Sequence, residues 1–168
     1  MDKLKKQYGA LVAALAEYKN LAGQVAARMR TNRSNYPQAL QVKADKELSL
    51  YDQVVNYTEG VIKQVRNSFG DELGIEIIAG VMSWLSSLLA KAIAYLGERK
   101  FDLSETKKLM DYQDKKIAEG MTPEHAARAT EAVKSRAWVE VKAVPGLGSF
   151  LSVVLVLGIG YLILKGIK

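Results

Sequence analysis

Apolar side chains recur along the first part of the chain at alternating spacings of four and three residues. One series begins at Leu4 and a second at Ala44, and each keeps this spacing for eight positions. Such a repeat is typical of amphipathic helices that bury one stripe. The positions expected to pack against other helices or other subunits are Leu4, Leu11, Leu15, Tyr18, Val25, Leu48, Tyr51, Val55, Ile62 and Val65.

The two series are separated by RTNRSNYPQ, a segment rich in helix-breaking residues. Because the residue before a proline is pushed out of the helical region, Tyr36 should be extended before Pro37. Residues 1–70 are therefore predicted to form a long antiparallel hairpin of two equal helices. Residues whose numbers sum to roughly 73 would face each other in this coiled-coil-like pairing.

Three residues beside the stripes, Val12, Val54 and Val61, widen the apolar face of the hairpin beyond a two-helix seam. They predict that a third helix or a second protomer packs there. The hairpin pairing also brings the basic start of the chain close to two acidic residues that follow the second helix. These residues are Lys3, Lys5 and Lys6 on one side and Asp71 and Glu72 on the other.

Residues 71–98 form an apolar segment that three interpretations fit. It carries no charge from Ile77 to Ala90, and its small and polar residues share one face that includes Gly80, Ser83 and Ser87. A helix of this kind is buried in a core, lies along a bilayer surface, or spans the bilayer with its serine face toward a partner or a pore.

Residues 99–143 are predicted to form a smaller helical hairpin. Asp102 has the form of an N-cap, so the first helix should begin at Leu103 and end at Gly120. Thr122 should cap the second helix, with Pro123 at its first position. The inner stripes of the two helices comprise Leu103, Thr106, Met110, Gln113 and Ile117, and Ala126, Thr130, Val133, Ala137 and Val141.

Residues 144–168 have the composition of a C-terminal transmembrane anchor. The 21 residues from Val144 to Leu164 include no Asp, Glu, Lys, Arg or His, and as a helix they would cover about 31 Å, the thickness of a hydrocarbon core. More Lys and Arg precede this stretch than follow it, which favours a single pass with the N-terminal part on the cytoplasmic or inner side. Representative spanning residues are Val144, Phe150, Leu151, Val154, Leu157, Ile159, Tyr161 and Leu164.

The charged and reactive residues limit the classes of function that the chain can have. The chain has 24 basic and 18 acidic residues, no cysteine and one histidine. This set lacks the parts of a nucleophile triad or a metal site, so we expect no enzyme activity and no cofactor. Cations do concentrate near the turn of the first hairpin, where they would suit an anionic surface: Arg28, Arg30, Arg33, Lys43 and Lys46.

The sequence therefore predicts an all-α protein made of a long antiparallel helical hairpin, a smaller helical hairpin and a C-terminal transmembrane helix. Its expected role is structural: a membrane-anchored assembly protein whose partners are the lipid bilayer and copies of itself or other structural proteins. A membrane-containing phage virion or a bacterial membrane complex would suit it. Two alternatives stay open, namely a holin-like permeability protein and an attachment factor that binds nucleic acid or anionic lipid through the basic turn.

Overall fold

The structure, a computed structural model, describes residues 2–69 and 79–142, with the backbone alone at Phe69, Ala79 and residues 134–142. Its elements are α1 (Asp2–Thr31), a 3-10 turn (Arg33–Asn35), α2 (Gln38–Ser49), α3 (Tyr51–Phe69), α4 (Ala79–Ala118) and α5 (Pro123–Lys142). No strand occurs in these ranges, so the predicted all-α class is confirmed for the described part of the chain.

Helix α1 forms over the first apolar series. Its buried side chains are Leu4, Leu11, Leu15, Tyr18, Ala22, Val25 and Met29. The helix ends at the predicted breaker segment, where the Tyr36 N–H donates to the Arg33 carbonyl at 3.1 Å. Tyr36 has φ −100° and ψ 141°, which confirms the extended conformation expected before Pro37.

The second predicted helix is divided in two at Leu50. The Ser49 hydroxyl donates to the Lys46 carbonyl at 2.7 Å, and that carbonyl is the acceptor which the Leu50 N–H would use in a continuous helix. The Leu50 N–H bonds to the Glu47 carbonyl instead, at 3.3 Å. The prediction of one unbroken second arm is therefore wrong, because the helical hydrogen bonding is interrupted at Leu50, between α2 and α3.

Helix α4 runs without a break across the predicted division between residues 98 and 99. The helix start predicted at Leu103 is therefore wrong: Asp102 lies inside the helix, and its carbonyl accepts a hydrogen bond from the Thr106 hydroxyl at 3.0 Å. One buried stripe continues through the whole helix and outweighs the cap-like pattern at Asp102. It comprises Leu85, Leu89, Ala92, Leu96, Leu103, Thr106, Met110 and Gln113.

The turn between α4 and α5 forms as predicted. Gly120 has φ +92°, the left-handed conformation that favours glycine. Its N–H donates to the Ile117 carbonyl and the Met121 N–H donates to the Lys116 carbonyl, which is the Schellman pattern. Thr122 then accepts a bond from the backbone N–H of residue 125 at 3.4 Å as α5 begins at residue 123.

Side-chain contacts show that α1 and α4 run in the same direction. The paired residues, in order along both helices, are Gln7 with Ser86 (3.1 Å), Glu17 with Lys100, and Arg28 with Asp111. Helices α2 and α3 run the opposite way beside α4, since Lys43 pairs with Glu105 and the ring of Tyr57 meets that of Tyr95 edge-on at 5.3 Å. One end of the bundle, here called the turn end, therefore holds the 3-10 turn and the C-terminal half of α4. The other, the basal end, holds the starts of α1 and α4 and the end of α3.

The third helix that the widened stripe predicted is α4, which packs against both α1 and α3. Val54 and Val61 are buried in the shared core, whereas Val12 is 40% exposed and does not join it. The most extensive packing of α1 is against α4, so the residue-by-residue pairing of a long hairpin stays a prediction. The expected approach of the N-terminal lysines to Asp71 and Glu72 lies outside the described residues.

Candidate functional site: the basic turn and its acidic partners

The predicted anionic-surface residues at the turn end are largely neutralised by carboxylates of the same chain. Arg28 pairs with Asp111 and lies 3.9 Å from Asp114, both on α4. Arg33 makes a two-pronged contact with Asp45, with nitrogen to oxygen distances of 2.6 and 3.1 Å. A forked pair of this kind fixes the orientation of the guanidinium.

Lys43 is the third of these cations with an acidic partner, because it pairs with Glu105 of α4. Arg30 and Lys46 are exposed and make no ion pair within the described ranges. Since three of the five cations face carboxylates of the same chain, the turn carries much less uncompensated charge than its sequence suggests. Its basic residues attach α1 and α2 to α4, and the 3-10 turn to α2.

A contact between the side chains of Tyr36 and Asp114 attaches the turn to α4. The Tyr36 hydroxyl donates to Asp114 at 3.0 Å, and Tyr36 is buried. Burial, and after it the hydrogen bond to Asp114, raises the pKa of Tyr36 to about 12. The phenol therefore keeps its proton, and this hydrogen bond, throughout the physiological pH range.

A buried polar network centred on Gln113 joins the turn, α4 and α5. The Gln113 amide nitrogen donates to the carbonyls of Asn35 at 2.9 Å and Pro123 at 3.0 Å. The Thr130 hydroxyl reaches the Gln113 amide oxygen at 2.7 Å and the Ala126 carbonyl at 2.8 Å. Each hydrogen of the Gln113 amide has an acceptor, as burial of this group requires.

A second polar cluster lies near the junction of α2 and α3. The rings of Tyr18 and Tyr51 stack with centroids 6.0 Å apart, and Glu47 is buried near them. Burial is the main cause that raises the pKa of Tyr18 to about 12, and the charge of Glu47 adds to it. The guanidinium of Arg99 lies over the ring of Tyr95 at 5.6 Å, a favourable cation–π geometry.

Arg99 also explains why the buried stripe of α4 has a gap between Leu96 and Leu103. It lies 3.8 Å from Asp102 and 3.9 Å from Glu98. Its Nε is buried and has no hydrogen-bond partner among the described residues. The arginine therefore occupies a core-facing position of the helix while its charge is met by acidic neighbours.

The residues predicted to pack helices or subunits lie mainly inside this chain's own core. Seven are buried: Leu4, Leu11, Leu15, Tyr18, Val25, Val55 and Val65. Leu48, Tyr51 and Ile62 are partly buried against the same cluster. In the inner stripe of α5, Ala126 and Thr130 are buried, but Val133 is 42% exposed, so the expectation for Val133 is wrong.

The predicted membrane-spanning residues from Val144 onward lie outside the described residues. Within the described ranges, one stretch, Gly80–Ala118 of α4, is long and apolar enough to cross a membrane by length and composition. Its leucine stripe is buried against protein, while Gly80, Ser83 and Ser87 of the predicted small-residue face are exposed. One side of this helix therefore joins the core of the bundle and the other is exposed, and the three interpretations of residues 71–98 stay predictions.

The acidic partners of these cations were not predicted from the sequence. They are Glu105, Asp111 and Asp114, and they lie on α4, a helix whose continuity was not predicted either. The available signal was the alternating spacing of four and three that runs through Arg99 to Gln113. Followed across residue 99, that spacing places the acidic residues on the flanks of one helix that faces the basic turn.

The described residues contain no group of three or more His, Cys, Asp or Glu side chains that could hold a metal ion. Comparisons of the chain with protein-family models, with curated proteins and with solved structures find no match.

Proposed function

We propose that this chain is a non-enzymatic, membrane-anchored assembly protein. A helical bundle would be held at a bilayer by the apolar stretch from Val144 to Leu164, and its exposed faces would position copies of itself or other structural proteins. The observation that carries the proposal is that α5 is packed in the bundle at its start and continues as a helix to Lys142, next to that stretch in sequence.

Helix α5 is attached to the bundle through its first two turns. Ala126 and Thr130 are buried there, whereas Val133 one turn later is exposed. The helix continues to Lys142, two residues before the apolar stretch begins. A helix that is packed at one end and continues toward an apolar segment at the other is suited to connect a folded body to a membrane.

The bundle itself is suited to act as a stable platform. Its core is continuous from Leu4 to Met110, and ion pairs tie α4 to α1 and α2 at several levels. The finer arrangement, in which the first two helical series form a long hairpin beside the membrane, belongs to this proposal as well. Exposed apolar side chains such as Val42, which is 60% exposed, offer contact points for other subunits.

Membrane flotation of the full-length protein and of a variant ending at Lys142 tests the anchor. We expect the full-length protein to float with membranes and to resist extraction by alkaline carbonate, and the truncated variant to stay in the soluble fraction. A third variant, with residues 144–164 replaced by a Gly/Ser linker of equal length, controls for the loss of chain. A full-length protein found in the soluble fraction would refute the anchor, and a truncated variant that floats would assign membrane affinity to the bundle.

A permeability protein is the second candidate, favoured by the composition of α4. To line a pore with Gly80, Ser83 and Ser87, α4 would have to leave α1 and break the contact between Gln7 and Ser86. Purified protein would then release dye from liposomes, and Ser83→Leu with Ser87→Leu would abolish the release. A disulfide between Gln7→Cys and Ser86→Cys should block release until it is reduced, whereas absence of release by the wild type would reject this candidate.

A further inference from the structure

Five cations without an acidic partner in the described residues lie at the basal end of the bundle, in addition to Arg30 and Lys46 at the turn end. Lys3, Lys5 and Lys6 occupy the first turns of α1, and Lys63 and Arg66 occupy the last turns of α3. All five are exposed and make no ion pair within the described residues. These five residues are here called the basal patch.

Helix directions bring the two parts of the basal patch to one end. Gln7 contacts Ser86, so the start of α1 lies beside the start of α4. Helix α3 passes Tyr95 at Tyr57 and runs opposite to α4, so its final turns also approach the start of α4. In the described turns at this end, Asp2 is the one acidic residue.

Exposed apolar side chains lie at the same end. Val81 is 40% exposed and Trp84 is 48% exposed, both in the first two turns of α4. The adjacent Leu85 is fully buried, so Trp84 is on the outer side of a helix whose inner side is already packed. Tryptophan beside lysine and arginine is the combination found where proteins meet the boundary between lipid head groups and water.

We infer that the basal end of the bundle docks on an anionic lipid surface, with the basal patch facing the head-group phosphates and Trp84 entering the interface. This inference deepens the proposed function and rests on it for the presence of a bilayer. Lipid fits better than nucleic acid because Val81 and Trp84 would leave water at a bilayer surface but would gain nothing from a phosphate backbone alone. Each Lys or Arg near an anionic membrane strengthens binding about fivefold.

The test uses the full-length protein, which has two tryptophans. Trp138→Phe leaves Trp84 as the reporter of docking, and Trp84→Phe leaves Trp138, close to the apolar stretch in sequence, as the reporter of the anchor. Each is reconstituted into vesicles of phosphatidylcholine with and without phosphatidylserine, and fluorescence quenching by brominated lipids is measured at low and high salt.

Trp84 should be quenched more strongly in the vesicles that contain phosphatidylserine, and high salt should remove the difference because it screens exposed charges. Changing Lys3, Lys5 and Lys6 together to Gln should shift the docking equilibrium on the order of a hundredfold and return quenching to its value in neutral vesicles. A matched control changes three exposed cations elsewhere, Arg30, Lys46 and Lys108, to Gln and should leave quenching of Trp84 unaltered.

Equal quenching of Trp84 in neutral and anionic vesicles would overturn the inference, as would an equal loss in the control variant. Equal quenching in the two kinds of vesicle is the result expected if acidic residues between 70 and 78, which lie outside the described residues, neutralised the basal patch. Binding of a DNA duplex through the basal patch, without lipid quenching of Trp84, would also overturn it. Failure of the anchor is distinguishable, because it removes quenching of Trp138, whereas failure of docking leaves that quenching intact.

Discussion

At the scale of single residues, Gln113 holds together parts of the chain that are far apart in sequence. Its side chain is fully buried and bonds to the turn after α1, to the start of α5 and to Thr130. A buried amide is stabilising when all its groups are paired, and its removal costs the hydrogen bonds that it makes with its partners.

Gln113→Leu replaces the amide with an apolar side chain and removes the three hydrogen bonds that the amide makes. The free energy of unfolding should fall by about 1–3 kcal/mol, the cost of leaving buried polar groups unpaired. Urea denaturation followed by circular dichroism measures the change. The same replacement at exposed Gln53 should change stability by less than about 0.5 kcal/mol, and equal effects at both sites would contradict the role of Gln113.

Glu47 gives the bundle a dependence on pH. Burial, followed by the negative charge of Asp102, raises the pKa of Glu47, although nearby cations including Arg99 lower it. A carboxyl whose pKa is raised in the folded state binds its proton more tightly there. Its contribution to stability is therefore fully present below its ordinary pKa of 4.5 and is lost as the pH rises through the folded value.

Glu47→Gln should accordingly unfold at a higher urea concentration than the wild type at neutral pH, because the variant buries no charge. The advantage should disappear at a pH below the ordinary pKa of the carboxyl, where the wild type is also neutral. Glu131→Gln, at an exposed position of α5, is the control and should shift the midpoint little at either pH. A variant that is less stable than the wild type at neutral pH would show that the charge of Glu47 is needed.

At the scale of elements, the continuity of α4 decides how the bundle is built. A helix end at Asp102 would have separated an apolar segment from a small hairpin. The continuous helix instead presents one stripe from Leu85 to Gln113, about 42 Å long at 1.5 Å per residue, and this length matches that of α1. The match lets one helix be covered by the other over most of its length.

Insertion of one alanine between Arg99 and Lys100 tests this continuity. In a helix the insertion turns everything after it by about 100°, so the two halves of the stripe cannot both face the core. We expect a loss of several kcal/mol, a large share of the stability of about 5–15 kcal/mol that is usual for a domain. Thermal unfolding measures it. Lys100→Ala, which keeps the register, should cost far less, whereas tolerance of the insertion would indicate a loop at this position.

At the scale of the whole molecule, the parallel course of α1 and α4 fixes which residues share each end. Basic residues near the turn meet carboxylates on the C-terminal half of α4, and the five cations of the basal patch lie at the same end as Trp84. Which charged residues have a partner of opposite charge therefore depends on helix direction as well as on sequence. The chain has no cysteine, so engineered pairs of cysteines can report the relative direction of α1 and α4 without interference from native thiols.

Gln7→Cys combined with Ser86→Cys should form an intramolecular disulfide under mild oxidation, because these side chains are in contact. Gln7→Cys combined with Lys115→Cys should not, since position 115 lies at the opposite end of α4. Gel mobility without reductant distinguishes the products. Cross-linking of the second pair in preference to the first would mean that the two helices are antiparallel.

The sequence by itself determined the helical class, the first helix, the extended turn at Tyr36 and the turn at Gly120. These features depend on local patterns, namely the apolar repeat, the restriction before Pro37 and the left-handed conformation that glycine allows. The uncharged stretch from Val144 is likewise a property of the sequence, and its role as an anchor stays a prediction.

The tertiary structure decided the interruption at Leu50, the continuity of α4 and the partners of the charged residues. At Leu50 the deciding bond is a side-chain hydroxyl that competes for one carbonyl, which an apolar repeat does not record. At Asp102 a local cap pattern competed with a long buried stripe, and burial of the stripe outweighs one cap. The basic turn could not be judged from its own residues, because the carboxylates that neutralise Arg28 and Lys43 come from a helix more than sixty residues later.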